Sequence, residues 1–333
     1  MNSGFRITSN LARCLRQRCG APVPRRLFPL AASPATRHIS SSSNTKGTPV
    51  PTPKATGKAF ESNDKGFLGS QKRLPEFNLV DRVVLISGGA RGLGLTQAEA
   101  LLEAGAKVYA LDRLAEPSPA FYEAQARATD KLATSLHYIQ IDVRDEARLH
   151  AAVQAIAEEN GRLDGLIAAA GINEEHTALE YTAADFNKMM EINVTGAFLT
   201  AQAAARQMVK LGKGGSIVMI ASMSGTIANR GLICPAYNAS KSAVLQLGRN
   251  LAAEWGPYGI RVNTISPGYI VTAMVEELFT KFPERREDWP KQNMLGRLSK
   301  PQEYRGAAVF LLSDASSFMT GADLIMDGGH HSW

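Results

Sequence analysis

We predict an α/β fold for this chain of 333 residues: a single domain in which a doubly wound parallel sheet of about seven strands has helices on both faces. Three observations predict it. Strand-like apolar segments alternate with segments of helical periodicity. The segments 166–170 and 217–221 are continuously apolar, which is typical of parallel strands buried on both faces. Apolar residues make up 44% of the chain, enough for one large core. The predicted strands are 83–87, 107–112, 137–142, 164–170, 216–221, 261–266 and 322–326.

The first predicted strand runs into a glycine-rich loop. Gly88, Gly92 and Gly94 allow sharp turns, and the helix expected from about residue 93 to 104 directs free N–H groups at an anion. Eighteen residues after Gly94 the second strand ends at Asp112, whose carboxylate can accept hydrogen bonds from ribose hydroxyls. This order predicts a dinucleotide site, and a glycine-rich turn without a ligand is the structural alternative.

Tyr237 and Lys241 are four residues apart in a predicted helix, 236–256, and therefore lie on one face of it. A phenol with a pKa of about 10 is a poor base near neutral pH, and a nearby cation lowers that pKa. Ser222, fifteen residues before Tyr237, can hydrogen-bond the same substrate oxygen. Ser224 is the competing candidate, because it shares a strand face with Ser222 if the segment is extended. The group predicts an oxidoreductase that exchanges a proton with a substrate oxygen.

With these motifs in order, residues from about 78 to 329 resemble the short-chain dehydrogenase/reductase family. The segment 87–94 matches the family's cofactor motif, with Ser87 in the usual threonine position. The segment 168–171 reads Ala-Ala-Ala-Gly where the family usually has Asn-Asn-Ala-Gly, and the change removes two amides that commonly brace the central strand. The resemblance implies a Rossmann-type sheet and an NAD(P)-dependent enzyme that interconverts a secondary alcohol and a ketone.

The resemblance also implies the roles of individual residues. The catalytic residues are Asn193, Ser222, Tyr237 and Lys241. Asn193 holds a water molecule for Lys241. Lys241 lowers the pKa of Tyr237 and binds the nicotinamide ribose. The cofactor contacts are Ser87, Gly88, Arg91, Gly92, Leu93, Gly94, Asp112, Arg113, Asp142, Val143, Ala169, Gly171, Tyr237, Lys241, Pro267, Gly268, Ile270 and Thr272. No metal site is predicted, since His330 and His331 are expected on opposite sides of an extended tail.

The residues expected around the adenosine ribose favour different cofactors. Asp112 repels the 2′-phosphate of NADP, whereas Arg91 and Arg113 can neutralise it. We expect NAD to be preferred, with some activity retained towards NADP.

The substrate class follows from a finer resemblance. The segments 222–225, 237–241 and 266–270 resemble fungal polyol dehydrogenases and ketose reductases, which implies a sugar alcohol and a ketose. The alternatives are a 3-oxoacyl or steroid carbonyl reductase and, in another class, a dinucleotide-binding redox sensor or scaffold without turnover. Cys234 can touch the substrate. Residues 271–297 form either a substrate lid or an ordinary packing helix, with pocket candidates Met274, Leu278, Phe279, Phe282 and Trp289.

The two longest predicted helices, 185–211 and 236–256, predict a homo-oligomer, because the family commonly pairs these helices across a two-fold axis to form a tetramer. The alanines expected at that contact are Ala201, Ala203, Ala204 and Ala205. The other expected partner is a small alcohol or ketone, and neither nucleic acid nor a membrane is expected. No run of 18 apolar residues occurs.

Charge is distributed unevenly along the chain. Residues 1–60 contain seven arginines and three lysines but no acidic residue, although the formal net charge of the chain is only +6. With serines at 40–43, this composition predicts a mitochondrial transit peptide at 1–46 and a matrix location. A disordered basic arm and a nucleic-acid-binding tail are the alternatives. A disordered linker is expected at 47–77 and the catalytic domain at 78–333. Cys14 and Cys19 lie in the presequence, so Cys234 has no cysteine partner in the mature part.

Overall fold

The computed structural model describes residues 74–333, and Met274 only through its backbone. The predicted transit peptide and the linker up to residue 73 lie outside the described residues. The domain begins four residues before the predicted boundary. Residues Pro75–Phe77 form a 3₁₀ turn, and the ring of Phe77 lies 6.4 Å from that of Phe310. Residues 74–77 are therefore part of the folded domain and not of a disordered linker.

The sheet has seven parallel strands in the spatial order β3-β2-β1-β4-β5-β6-β7, which confirms the predicted fold class. The strands are β1 (Val83–Ser87), β2 (Lys107–Asp112), β3 (Leu136–Gln140), β4 (Gly165–Ala168), β5 (Gly215–Ile220), β6 (Ile260–Pro267) and β7 (Asp323–Met326). β4 ends two residues earlier than predicted, because residues 169 and 170 leave the sheet to pass over the glycine loop that follows β1.

Nine α-helices are present in the described residues. They are α1 (Gly92–Glu103), α2 (Pro119–Leu132), α3 (Glu146–Asn160), α4 (Ala183–Met190), α5 (Gly196–Leu211), α6 (Pro235–Trp255), α7 (Ala273–Lys281), α8 (Glu284–Asp288) and α9 (Arg305–Leu312). The long helix predicted at 185–211 is interrupted by a π-helical segment, Glu191–Thr195, between α4 and α5. Such segments are often found at functional sites.

Two apolar layers cover the sheet, one on each face. α3, α5 and α6 pack on one face, and α1, α2 and α9 pack on the other. The predicted intersubunit role of the α5 alanines is wrong. Their side chains are at most 4% exposed within a single chain and belong to its own core, so they are not available to a second subunit; the residues are Ala201, Ala203, Ala204 and Ala205.

The parallel arrangement places the carboxyl ends of all strands along one edge of the sheet. At β1 and β4 the strand order reverses, so the chain leaves these neighbouring strands in opposite directions and opens a crevice. Every predicted catalytic or cofactor residue lies at this edge or in the elements that flank it. Within residues 74–333, we find no helix that is both long and apolar enough to span a bilayer.

Candidate active site

The loop after β1 packs too closely for side chains at three of its glycines. A Cβ on Gly89 would lie 2.8 Å from the Cβ of Ala110. A Cβ on Gly94 would lie 2.2 Å from the carbonyl oxygen of Gly88, and a Cβ on Gly88 would lie 2.8 Å from the amide nitrogen of Ala170. Gly92 differs, because it has a φ of +57° and open space where its Cβ would be. Arg91, at the N-cap of α1, provides no side-chain cap for the first N–H groups. The helix start is therefore open to a phosphate.

Asp112 is oriented by two backbone bonds. Its Oδ2 accepts from the amide of Ala90 at 3.2 Å, and its Oδ1 accepts from the amide of Leu114 at 3.3 Å. Each oxygen keeps a free lone pair that a ribose hydroxyl can use. Arg91 and Arg113 are exposed and form no ion pair with Asp112 in the described part of the chain. The Asp112 carboxylate thus lies where an adenosine ribose is expected, and the exposed side chains of Arg113 and Arg91 are next to it in sequence and at the start of α1, respectively.

Asp142 and Val143 follow β3, as the predicted adenine contacts require. The Asp142 carboxylate is already engaged by Arg144, whose Nη2 lies 2.7 Å away, and this bond lowers the pKa of Asp142. Val143 packs against Gly196 at the start of α5, where a Cβ would come within 2.5 Å of the valine. Val143 is therefore held in a fixed position beside the crevice.

The segment after β4 needs no side-chain amides. The amide of Ala169 donates to the carbonyl oxygen of Ser87 at 3.1 Å, and the amide of Ala170 donates to the Ser87 hydroxyl at 3.4 Å. Gly171 comes next, and a Cβ there would lie 3.2 Å from Asn193 Oδ1 and 3.7 Å from Lys241 Nζ. Backbone bonds and Ser87 brace the strand in place of the missing asparagines.

Asn193 ties three elements together. Its Oδ1 accepts from the amide of Ile172 at 2.9 Å, and its Nδ2 donates to the carbonyl of Ile172 and to the hydroxyl of Ser240, both at 3.0 Å. The side chain is 1% exposed. Asn193 thus joins the π-helical segment to the loop after β4 and to α6.

Tyr237 and Lys241 lie on one face of α6, as their spacing predicts. Lys241 Nζ is 5.5 Å from the centre of the Tyr237 ring and donates to the carbonyl of Ile220, at the end of β5, at 2.8 Å. Only 6% of Lys241 is exposed, and this burial lowers its pKa to about 8. The ammonium group is therefore close to its titration point at physiological pH.

The prediction that Lys241 lowers the pKa of Tyr237 is wrong for the chain by itself. Burial raises the pKa of the phenol to about 12, and hydrogen bonding with Ser222 offsets part of that effect. The lysine gives its hydrogen bond to Ile220 instead of to the phenol, and burial lowers its own pKa to about 8. Near neutral pH Tyr237 is a protonated acid.

The structure separates the two candidate serines. Ser222 has extended backbone, with φ of −173°, but the chain turns at once into a 3₁₀ helix, Met223–Gly225. Ser224 is therefore not on the same strand face as Ser222, and its amide donates to the Ser222 hydroxyl at 3.1 Å. Ser222 is the serine whose hydroxyl acts on Tyr237.

The predicted nicotinamide contacts are at the end of β6 and in the segment that follows it: Pro267, Gly268, Ile270 and Thr272. Ile270 forms a parallel bridge with Ser299. Thr272 caps α7, since its Oγ1 accepts from the amide of Val275 at 3.4 Å.

Two of the predicted lid residues, Phe279 and Trp289, pack over this segment. Trp289 stacks on Tyr269 with ring centres 4.1 Å apart, and Phe279 meets Trp289 edge-on at 5.6 Å. Phe279 and Trp289 are buried, whereas 40% of Phe282 is exposed. The segment 273–289 is therefore packed above the strand ends through two aromatic side chains.

Sequence reasoning missed three polar residues that lie near Cys234: Glu175, Tyr181 and Arg285. Glu175, after β4, forms a two-pronged ion pair with Arg285 in α8, at 2.8 Å for each N–O contact. The Tyr181 hydroxyl is buried and has no hydrogen-bond partner in residues 74–333. The predicted pocket residues of 271–297 are all apolar, and an ion pair 110 positions apart has no local signal in the sequence.

Two other predictions concern Cys234 and the C-terminal histidines. Cys234 is buried at the N-cap of α6, its thiol donates to Asn238 Oδ1 at 3.0 Å, and burial raises its pKa to about 11. The histidine tail is not extended, because residues His330–Ser332 form a 3₁₀ turn. His331 Nδ1 lies 2.8 Å from the Asp327 carboxylate, and the ring of His330 meets Tyr269. The tail is thus fixed to the domain.

Comparison with known proteins identifies relatives over the same residues. A family model described as enoyl-(acyl carrier protein) reductase matches residues 88–331. A short-chain dehydrogenase/reductase of Aspergillus versicolor is 43% identical over 269 residues, which cover 77% of this chain and 89% of that protein. A D-arabinitol 2-dehydrogenase (ribulose-forming) of Candida tropicalis is 34% identical over 270 residues, which cover 78% of this chain and 96% of that protein.

Solved structures share the fold. Carveol dehydrogenase from Mycobacterium avium, in complex with NAD, superposes with a TM-score of 0.70 at 31% identity and covers 76% of this chain and 98% of its own. A gluconate 5-dehydrogenase from Burkholderia cenocepacia, in complex with NADP and tartrate, has a TM-score of 0.70 at 32% identity, covering 78% and 98%. Both dinucleotides therefore occur in structures similar to this chain.

The buried Lys241 predicts a pH-dependent stability. Its folded pKa is about 8 and its ordinary value 10.5. Below pH 8 both states hold the proton and the cost of burial is fully present; between pH 8 and 10.5 the unfolded state holds more protons, so stability rises with pH. We expect Lys241→Met to stabilise the protein at pH 7 by about 1–2 kcal/mol, after loss of the bond to Ile220, and by progressively less towards pH 10.5.

Thermal melts of both proteins at pH 7 and pH 10 measure this difference. Lys131→Met, at an exposed lysine of α2, is the control and should change stability little at either pH. A lower melting temperature of Lys241→Met at pH 7 would contradict the expectation.

Proposed function

Because the chain belongs to the short-chain dehydrogenase/reductase family, we propose that this oxidoreductase converts a sugar alcohol to a ketose and catalyses the reverse reduction. The observation that carries the proposal is the meeting of Ser222, Tyr237 and Lys241 at the carboxyl edge of the sheet. The relative named D-arabinitol 2-dehydrogenase supports the polyol assignment.

The protein's own groups handle the proton of the substrate hydroxyl. Ser222 hydrogen-bonds the substrate oxygen and stabilises the charge that develops on it. In reduction Tyr237, protonated at neutral pH because its pKa is raised to about 12, gives its proton to that oxygen. In oxidation Tyr237 takes the proton of the substrate hydroxyl while its own phenolic proton passes to Lys241, which can accept it only as the uncharged amine. Because the pKa of Lys241 is about 8, the uncharged fraction grows as the pH rises. Neutral pH thus favours reduction and alkaline pH favours oxidation.

The crevice fits a nicotinamide dinucleotide. The open start of α1 suits the pyrophosphate, Asp112 suits the adenosine ribose, and Gly171 leaves a clear approach to Lys241. When bound, the dinucleotide supplies the hydride acceptor or donor.

We propose that NAD is preferred over NADP. The Asp112 carboxylate is fixed by two backbone amides, so it cannot turn away from a 2′-phosphate without losing both bonds. Arg91 and Arg113 are free to move towards a phosphate, and for this reason the preference should be modest.

The description of the matching family model supports a second candidate, the reduction of an acyl thioester substrate. The same proton chemistry serves a 3-oxoacyl group. Assay of a 3-oxoacyl thioester beside the sugar alcohols distinguishes the two candidates.

We also propose import into the mitochondrial matrix. Support comes from the acid-free, arginine-rich composition of residues 1–60. N-terminal sequencing of the native protein tests the proposal, which requires that residues up to roughly 40–46 are absent.

A homo-oligomer, and specifically a tetramer, remains our proposal, supported by surfaces other than the alanines of α5. β7 is the last strand of the sheet, and all four of its residues are partly exposed. Phe318, just before it, is fully exposed. Light scattering at micromolar concentration measures the assembly, and a monomer mass would contradict the proposal.

Replacing Tyr237 with Phe tests the acid/base assignment. We expect kcat to fall at least about 10³-fold, because the proton donor is lost, while dinucleotide binding persists, because the ring still packs. Ser222→Ala should also lose activity, whereas Ser224→Ala, the matched control, should retain most of it. Fluorescence titration with NADH and steady-state kinetics give both readouts. A Tyr237→Phe enzyme with more than about a tenth of the wild-type kcat would refute the assignment.

Replacing Asp112 with Ala tests the cofactor assignment. We expect the ratio of kcat/KM for NADP to that for NAD to rise about tenfold or more, since a like charge is removed and two ribose hydrogen bonds are lost. The ratio is the readout, because the change also frees the amides of Ala90 and Leu114. Asp130→Ala, at an exposed acid of α2, should leave the ratio unchanged. An unchanged ratio in Asp112→Ala would show that Asp112 does not face the ribose.

A further inference from the structure

An ion pair between Glu175 and Arg285 lies among the aromatic rings of the predicted lid. Glu175 accepts two hydrogen bonds from Arg285, each of 2.8 Å. The guanidinium group of Arg285 also lies 4.2 Å from the ring centre of Phe282 and 5.5 Å from that of Trp289. Exposure of the two charged side chains is only 25% and 13%. Both charges are therefore largely withdrawn from water.

This ion pair is linked to the catalytic helix. Arg285 packs on Trp289, whose ring stacks on Tyr269 with centres 4.1 Å apart. Asn229 then joins Tyr269 to α6, since its Nδ2 donates to the Tyr269 hydroxyl at 3.3 Å and its Oδ1 accepts from Asn238 at 3.0 Å. The charges of Glu175 and Arg285 act on the pKa of the Tyr269 phenol, next to Gly268. The pair thus lies beside the aromatic side chains that cover the segment after β6 and is linked through them to α6.

A buried ion pair is a poor means of holding a lid, because desolvation of the charges offsets much of their attraction. Apolar side chains of similar size would hold α8 as well. The two-pronged contact instead fixes the orientation of the Glu175 carboxylate. Each carboxylate oxygen keeps one free lone pair, so two hydrogen-bond acceptors are held in fixed directions.

A further polar group lies near Cys234. The Tyr181 hydroxyl is buried and has no hydrogen-bond partner among residues 74–333. Burial raises its pKa, and Cys234 is among the groups that act on it. Native proteins rarely leave a buried hydroxyl unpaired, and a hydroxyl supplied by a ligand would pair it.

We infer that Glu175, Arg285 and Tyr181 form the polar end of the substrate chamber and bind hydroxyl groups on carbons beyond the one that is oxidised. The inference rests on the proposed function and names what selects its substrate. An apolar secondary alcohol leaves these groups unpaired, and sites built to pair a hydroxyl discriminate strongly against analogues that lack it.

Two variants and two classes of alcohol test the inference. The kinetics of Tyr181→Phe and Glu175→Gln are measured with the best sugar alcohol of a panel and with cyclohexanol, which has no second hydroxyl. We expect kcat/KM for the sugar alcohol to fall about 10-fold or more, mainly through KM, and that for cyclohexanol to stay within about twofold. Tyr181→Phe should melt no lower than the wild type, because the lost hydroxyl has no partner in the described chain.

Glu276→Gln is the matched control. It breaks an exposed ion pair with Arg286 on the same lid and should leave kcat/KM unchanged for both alcohols. Equal losses on both alcohols in Glu175→Gln and Tyr181→Phe, or unchanged sugar-alcohol kinetics in both, would overturn the inference. Failure of the proposed function gives a different result, since the wild-type enzyme would then oxidise no sugar alcohol at all.

Discussion

The catalytic centre depends on keeping one ammonium group in a place with little access to water. Within the described residues, Lys241 is held there by a hydrogen bond of 2.8 Å to the carbonyl of Ile220, the last residue of β5. Gly171 leaves the approach to it open, since a Cβ there would lie 3.7 Å from Nζ. The position of Tyr237 follows from that of Lys241, since both project from one face of α6. The cost of burying this charge is part of the function, because it brings the pKa of the amine towards the pH at which protons must leave.

Much of the fold was predictable from local pattern. Parallel strands buried on both sides have continuous apolar runs, and the glycines after β1 satisfy steric demands that no other residue can meet. Ser222, Tyr237 and Lys241 were predictable because their roles depend on short separations along one helix and one strand end. The segment at 168–171 was harder to interpret. Its missing amides are replaced by backbone bonds to Ser87, which composition does not indicate.

The remaining features arise from tertiary contacts. The alanines of α5 face the interior of the same chain because α3 packs beside that helix, and an alanine-rich face looks the same whether it meets another helix of the chain or another subunit. Ser224 does not share a strand face with Ser222, because the chain turns into a 3₁₀ helix directly after Ser222. The pKa of Tyr237 was misjudged because an isolated pair was considered, whereas burial acts on both members of the pair. Glu175 and Arg285 are 110 positions apart, and only the folded chain joins them.

The π-helical segment at 191–195 sets the direction of Asn193. Such a segment holds one residue more than the α-helical turn it replaces, and each residue of an α-helix advances the side-chain direction by about 100°. Removal of that one residue would rotate everything before it relative to α5 by more than a quarter turn. Ile192 or Val194 would then point towards Ser240, and the tie between the loop after β4 and α6 would be replaced by an apolar contact. The polar centre of this enzyme therefore depends on the rotation of the helix as well as on residue identity. A one-residue deletion in this segment would move Asn193 out of its position without changing the asparagine itself.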